Sequence, residues 1–176
     1  MIETIIRTES IYEGRVVRLA LLDVQLPDGK LAKRELVRHP GAVAIVALDA
    51  AQHILLVRQF RIAAGQVLLE IPAGTLEPNE SPLACAEREL QEETGFHPGT
   101  IEPIGGIYVA PGYTTEFIHL YYATDLTASR LDGDADEFIE VERVPLTEAL
   151  AMIERGDIID GKSIAGLLRV ARKLGV

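Results

Sequence analysis

Apolar and polar positions fall into short extended runs over most of the chain and switch to helical spacing near its C-terminal end. Residues 14–26 and 31–38 flank Pro27, Asp28, Gly29 and Lys30, a turn-forming cluster, and together they predict a β-hairpin. Two apolar runs follow, AVAIVAL at 42–48 and HILLVRQF at 53–60, short and bounded in the manner of buried strands rather than helices. The run VLLEI at 67–71 reads as a further strand and leads into Pro72, Ala73 and Gly74. Residues 101–108 and 116–124 are again extended, with Phe117, Ile118, Leu120, Tyr121 and Tyr122 predicting a strand buried on both faces. The period then changes. Leu146, Ala149, Leu150 and Ile153 predict a helix over 146–155, and Ile164, Leu167, Leu168 and Ala171 predict another over 163–174. Strands grouped around one helix and followed by helices make an α+β layered domain.

The one helix among the strands carries most of the chemistry. Ser81 is suited to cap its first turn, Pro82 has no N–H to lose at the first helical position, and Gly95 is suited to end it. Leu83, Ala86, Leu90 and Thr94 follow offsets of three and four and predict the buried stripe. At about 100° per residue, Glu89, Glu92 and Glu93 fall beside that stripe as one negative patch. With Glu80 just ahead of the helix, four carboxylates lie within a short stretch, a donor set suited to a divalent cation. Composition alone makes such a patch an ordinary solvated helix face, so the chemistry rests on the pattern as a whole.

Length and composition narrow the classes. At 176 residues and 48% hydrophobic, the chain is long enough for one domain with a substantial core, and no linker-like stretch, repeat or low-complexity segment divides it. Residues 1–15 carry acids and lack the apolar core of a signal peptide, and nowhere do roughly 18 apolar residues run unbroken, so a cytoplasmic protein without membrane contact is expected. Cys85 is the only cysteine, which excludes an intrachain disulfide and a cysteine-built zinc site; its place near the apolar stripe suits a small core residue. A formal charge of −10 argues against a nucleic-acid surface, and an anionic substrate would need bound cations and placed arginines.

Gly74, Glu80, Arg88, Glu89, Leu90, Glu92, Glu93, Gly95 and Phe96 stand in an order and spacing that resembles the Nudix box at every defined position. The resemblance implies a Nudix fold: a mixed β-sheet sandwiched between α-helices, in a single domain covering 1–176. The N-terminal hairpin extension, 1–40, lies outside the catalytic core, 41–176. It looks like the extra strands through which many nucleoside-diphosphate-sugar members of the family dimerise, so a homodimer is expected.

The resemblance also implies metal-dependent hydrolysis of a pyrophosphate bond. Mg²⁺, with Mn²⁺ as a substitute, would be held by Glu89 and Glu93 one turn apart, by Glu92 in support and by the backbone carbonyl of Ala73. Arg88 would orient the carboxylates. Glu80 would either ligate or hydrogen-bond, and Gly74 would serve either the site or only the turn. Pro111, fifteen residues after Phe96 and followed by Gly112, resembles the spacing of the ADP-ribose pyrophosphatase subgroup. Arg38, Arg58 and Arg61 are placed for phosphate or nucleotide contacts, and Glu70 and Glu116 resemble positions near the substrate. A general base is expected from the loop 131–141, with Glu137 the best match and Asp136 beside it. The expected substrate is therefore ADP-ribose, cleaved to AMP and ribose 5-phosphate. The alternatives are another nucleoside diphosphate derivative (a GDP-sugar, a dinucleoside polyphosphate, a reduced nicotinamide dinucleotide) and a non-catalytic ligand sensor. Such a sensor would typically have lost carboxylates that this chain retains.

Overall fold

A computed structural model describes residues 1–133 and 138–176, arranged as two compact units. The first comprises Met1–Gly41 and Tyr108–Phe117. Its strands β1 (Thr4–Glu13), β2 (Arg18–Gln25) and β3 (Leu31–Arg38) form an antiparallel sheet in the order β1-β2-β3. The predicted turn joins β2 to β3: the Leu26 amide donates to the Lys30 carbonyl at 2.8 Å, and Gly29 supplies the left-handed backbone (φ 85°) that closes it. Alternate residues of β2, Ala20, Leu22 and Val24, are buried, and the half-buried Ala32 and Leu36 of β3 pack against them, as expected of a sheet with one apolar face. β1 was not anticipated. The chain turns at 14–17 instead of running straight from residue 14, and every residue of β1 is exposed, so no inward–outward alternation marks it.

The second unit comprises Ala42–Ile107 and Ile118–Val176. Its strands are β4 (Ala42–Ala47), β5 (His53–Arg61), β6 (Gln66–Glu70), β7 (Ala73–Thr75), β8 (Phe96–Tyr108), β9 (Phe117–Ala128) and β10 (Ile139–Pro145), with helices α1 (Pro82–Thr94), α2 (Leu146–Arg155) and α3 (Gly161–Leu174). Two sheets result, β7-β4-β9-β8 and β10-β5-β6. The first is mixed, because β4 runs parallel to β9 and antiparallel to β7. The architecture is α+β, as the sequence pattern implied.

β4 explains why its sequence is an unbroken apolar run. Ala44 and Val46 pack into one core cluster with Leu167 and Val170 of α3, while Val43 and Ile45 pack into another with Cys85, Ala86 and Leu90 of α1. The mixed sheet is therefore sandwiched between helices, and each fully buried aliphatic side chain in it contributes about 1.5–3 kcal/mol. Close approach is part of the design on the α3 side: a Cβ on Gly166 would lie 2.9 Å from Val46 Cγ2 and 3.0 Å from Ile71 Cδ1.

Candidate active site

α1 begins and ends where its capping residues dictate. Ser81 Oγ accepts the Ala84 amide at 3.2 Å, Pro82 opens the helix, and Gly95 closes it in the left-handed conformation, donating to the Gln91 carbonyl at 3.0 Å. Its buried face differs from the predicted stripe. Ala86, Leu90 and Thr94 are buried as expected, but Leu83 is 44% exposed, and Cys85, Glu89 and Glu93 share the inner face. The physical reason lies in β7. Ala73 and Gly74 present almost no side chain there, and the carboxylates fill the space. Glu93 Oε2 accepts the Ala73 amide at 3.0 Å, and a Cβ on Gly74 would sit 1.9 Å from the carboxyl carbon of Glu89. Gly74 thus serves the carboxylate as well as the chain path.

Arg88 binds three of the four acids. Its Nε and Nη2 donate to the two oxygens of Glu80 at 2.8 and 3.0 Å, and its Nη1 donates to Glu89 Oε1 and Glu92 Oε2, both at 2.8 Å. The fork holds the Glu80 carboxyl down to a pKa of about 2, and Glu80 in turn raises that of the guanidinium. Glu80 also accepts the Glu77 amide at 3.0 Å, which ties it to the loop before the helix. These contacts make Glu80 an organiser of Arg88. Burial and the neighbouring carboxylates push the Cys85 thiol pKa far up, so it is an inert core residue.

A second charged cluster lies at the end of β6. Glu70 is 1% exposed and receives the fork of Arg61, with Nε at 3.0 Å and Nη2 at 2.8 Å. Lys162, from the first turn of α3, also donates to it. Burial pushes the Glu70 pKa up, but Arg61 and Lys162 together bring it below the ordinary carboxylate value. Glu70 is therefore a buried structural acid that grips Arg61, and Arg61 is the partly exposed member of the pair, 36% accessible against 1%. The acid bonds of Arg61 raise its own pKa, with a further contribution from the charge of Glu93. Arg58 pairs with Glu142 of β10 across the sheet. Lys162 and its neighbour Ser163 were not picked out in the sequence, because their partners lie 92 residues away. The only local signal was the Asp160 N-cap of α3.

Arg38, Pro111, Gly112 and Glu116 belong to the first unit. Arg38 is exposed at the end of β3, and its neighbours hold the loop carrying Pro111 and Gly112. The Val37 amide donates to the Tyr113 carbonyl at 2.8 Å, the Thr115 amide to the Val37 carbonyl at 3.0 Å, and the His39 amide to Thr115 Oγ1 at 2.9 Å. Pro111 and Gly112 are exposed within the turn closed by the Tyr113 amide on the Ala110 carbonyl at 3.1 Å. The Glu116 amide donates to Thr114 Oγ1 at 3.2 Å. Arg38 and the Pro111 loop are thereby brought together. Glu137 and Asp136 lie outside the described residues.

The donor set of α1 suits a hard divalent cation. Glu89 and Glu93, one turn apart and 9% and 8% exposed, meet consecutive residues of β7 and offer only oxygen. Among the described residues no three His, Cys, Asp or Glu side chains gather closely enough to grip an ion alone. The rest of a coordination shell would come from backbone, water and substrate oxygens. Magnesium is commonly bound in this way, through one or two carboxylates and a substrate phosphate.

Comparison with known proteins places these features. Residues 38–167 match the model of the NUDIX domain. The chain is 41% identical over 163 residues to an ADP-ribose pyrophosphatase of Bacillus subtilis, covering 92% of this chain and 88% of that one. It is 43% identical over 164 residues to a methanol dehydrogenase activator of Bacillus methanolicus, covering 92% and 89%. A solved structure of an ADP compounds hydrolase superposes with a TM-score of 0.87 at 25% identity, covering 98% of this chain and 94% of that one.

Proposed function

The chain belongs to the NUDIX domain family, and we propose that it hydrolyses the pyrophosphate bond of a nucleoside diphosphate sugar, with ADP-ribose giving AMP and ribose 5-phosphate. The observation that carries this reading is the Arg88-organised set of Glu80, Glu89 and Glu92, with Glu93 fixed on the β7 amide beside it. The similarity to an ADP-ribose pyrophosphatase over most of both chains supports the choice of substrate.

Glu89 and Glu93 would hold Mg²⁺, or Mn²⁺ in its place, with Glu92 and the Ala73 carbonyl in support. When bound, the ion neutralises charge that builds on the diphosphate oxygens and favours ionisation of the attacking water. The protein's share is positional. Arg88 fixes the rotamers of Glu80, Glu89 and Glu92, so the cluster needs little reorganisation when a phosphate arrives. Arg61, partly open to solvent and anchored on Glu70, is the guanidinium offered to a diphosphate oxygen. Arg38 and the Pro111 turn are offered to the nucleotide or sugar, and Glu137 is the proposed acceptor of the water proton. The exposed apolar side chains Ile5, Ile6, Ile11 and Tyr12 on β1 suit a homodimer built through the N-terminal sheet.

The test is a substrate panel with Mg²⁺ and product identification. AMP and ribose 5-phosphate from ADP-ribose at the highest kcat/KM support the assignment. Preference for a GDP-sugar, a dinucleoside polyphosphate or a reduced nicotinamide dinucleotide would move the substrate, and binding of them without hydrolysis would favour a ligand sensor.

A further inference from the structure

Ile71 lies in the short link between β6 and β7, and its amide donates not to a strand but to Ser163 Oγ of α3, 92 residues on, at 2.9 Å. Pro72 has no N–H, and its carbonyl accepts the Ile45 amide at 2.8 Å. The next amide, that of Ala73, donates to Glu93 Oε2 of α1 at 3.0 Å. The link is thus tied to α3 at one end, to β4 in its middle and to a proposed metal ligand at the other end.

The Ser163 hydroxyl is not needed by the helix itself. Asp160 caps α3 through the Ser163 amide at 3.0 Å, a bond that an alanine would keep. The hydroxyl donates to the same Asp160 Oδ2 at 2.6 Å, which leaves its lone pairs for the Ile71 amide. α3 meets Ile71 a second time at Gly166, where a Cβ would lie 3.0 Å from Ile71 Cδ1. A fully buried hydroxyl and a glycine three residues apart therefore fit one helix face to one residue, through its backbone and through its side chain.

Resting on the function proposed above, we infer that Ser163 is a positioning residue for the metal site. By fixing the Ile71 amide it holds Ala73, whose amide aims the Glu93 carboxylate and whose carbonyl is offered to the ion. Only Pro72, with its φ locked by the ring, separates the two amides, so a displacement of one is passed to the other. Without the hydroxyl the Ile71 N–H is a buried donor that has lost its acceptor, and the link shifts to relieve it.

Ser163→Ala should therefore weaken Mg²⁺ binding to the nucleotide-free protein about tenfold by calorimetry, the effect of removing a group that orients a ligand. In the metal-free protein, hydrogen exchange at the Ala73 amide should quicken about tenfold relative to the Leu55 and Leu56 amides of β5. Val170→Ala is the control, because it removes buried methyl groups of α3 and leaves the Ile71 bond in place. It should lower Tm and keep the Mg²⁺ Kd within about twofold of wild type. If alanine at 163 prevents folding, Ser163→Cys keeps the bulk, offers a weak sulfur acceptor and should shift both readouts in the same direction.

An unchanged Mg²⁺ Kd in a folded Ser163→Ala protein overturns the inference. So does an equal rise in Val170→Ala, because lost stability would then be the cause. If the wild-type protein binds no Mg²⁺ and leaves ADP-ribose intact, the functional reading fails by itself. Exchange at Ala73 then decides whether Ser163 holds the link: faster exchange in Ser163→Ala supports that role, and a rate unchanged relative to Leu55 and Leu56 overturns it.

Discussion

Gly74 and the Glu89 carboxylate occupy each other's space: a Cβ on the glycine would lie 1.9 Å from the carboxyl carbon and 1.9 and 2.3 Å from its two oxygens. The obstacle is the far end of a flexible side chain rather than backbone, so Gly74→Ala can be accommodated by moving Glu89. The variant should keep its thermal stability within a few degrees and yet need about 10–100 times more Mg²⁺ for half-maximal activity, the usual size of an effect that shifts a ligand's support. Activity titrated against Mg²⁺ beside a thermal melt checks both halves. A large fall in Tm with unchanged Mg²⁺ dependence would make Gly74 a turn residue only.

Glu93 accepts the Ala73 amide through Oε2 at 3.0 Å, and a glutamine there keeps an oxygen to accept that bond. Glu93→Gln should therefore fold normally and lose turnover by orders of magnitude, because the ligand charge goes while the shape stays. Ligand linkage gives a second measure. At Mg²⁺ a hundredfold above its Kd, binding to the native state stabilises it by about 2.7 kcal/mol. The wild type should show that gain in urea unfolding and lose it on chelation, and Glu93→Gln should show little of it. Unaltered turnover at saturating Mg²⁺ would remove Glu93 from the ligand set.

Glu80 ties acid stability to the same cluster. Its carboxyl is held down to a pKa of about 2 by the Arg88 fork, against an ordinary value of 4.5. The folded form thus binds its proton less readily than the unfolded form. The resulting stability is complete above the unfolded value and disappears as pH falls from about 5 towards 2. Allowing for solvent screening, it amounts to about 2 kcal/mol. Urea unfolding of wild type and Glu80→Gln from pH 7 to pH 2.5 should give curves that are separated at neutral pH and converge in acid. A constant separation would mean that the Arg88 bond does not depend on the charge of Glu80.

These relationships show what sequence could and could not reveal. α1 was legible because Ser81, Pro82 and Gly95 act through local backbone geometry, and β4 because a strand buried on both faces has no choice but to be apolar. β1 was not legible: all its residues are exposed, so burial imposes no alternation on it. The helix face was misjudged at Leu83, Glu89 and Glu93 because the space beside Gly74 is a property of β7, not of the helix. The box supplied Arg88 and its acids, all within a few turns of one another. The pairings of Glu70 with Lys162, of Ile71 with Ser163 and of Arg58 with Glu142 join residues 84 to 92 positions apart, and no local pattern encodes them.

The last prediction separates geometry from charge at Arg88. Its guanidinium spreads donors over Glu80, Glu89 and Glu92 at 2.8–3.0 Å, with a bidentate grip on Glu80 that needs a planar fork. A lysine in its place keeps the positive charge but concentrates it on one nitrogen at the end of a flexible stem, which cannot reproduce the parallel pair of bonds. Arg88→Lys should lower stability by about 1–3 kcal/mol through partners left poorly bonded. It should also lower kcat/KM by about 10–100-fold, because Glu89 loses the bond that fixes its rotamer. Lysine leaves the local net charge unaltered, so the acid-sensitive part of stability should shrink only partly, to a level between those of wild type and Glu80→Gln. Urea unfolding at two pH values, together with steady-state kinetics, measures all three effects. If Arg88→Lys matches wild type in stability and in kcat/KM, a point charge is enough to organise the cluster, and the role assigned to the fork is wrong.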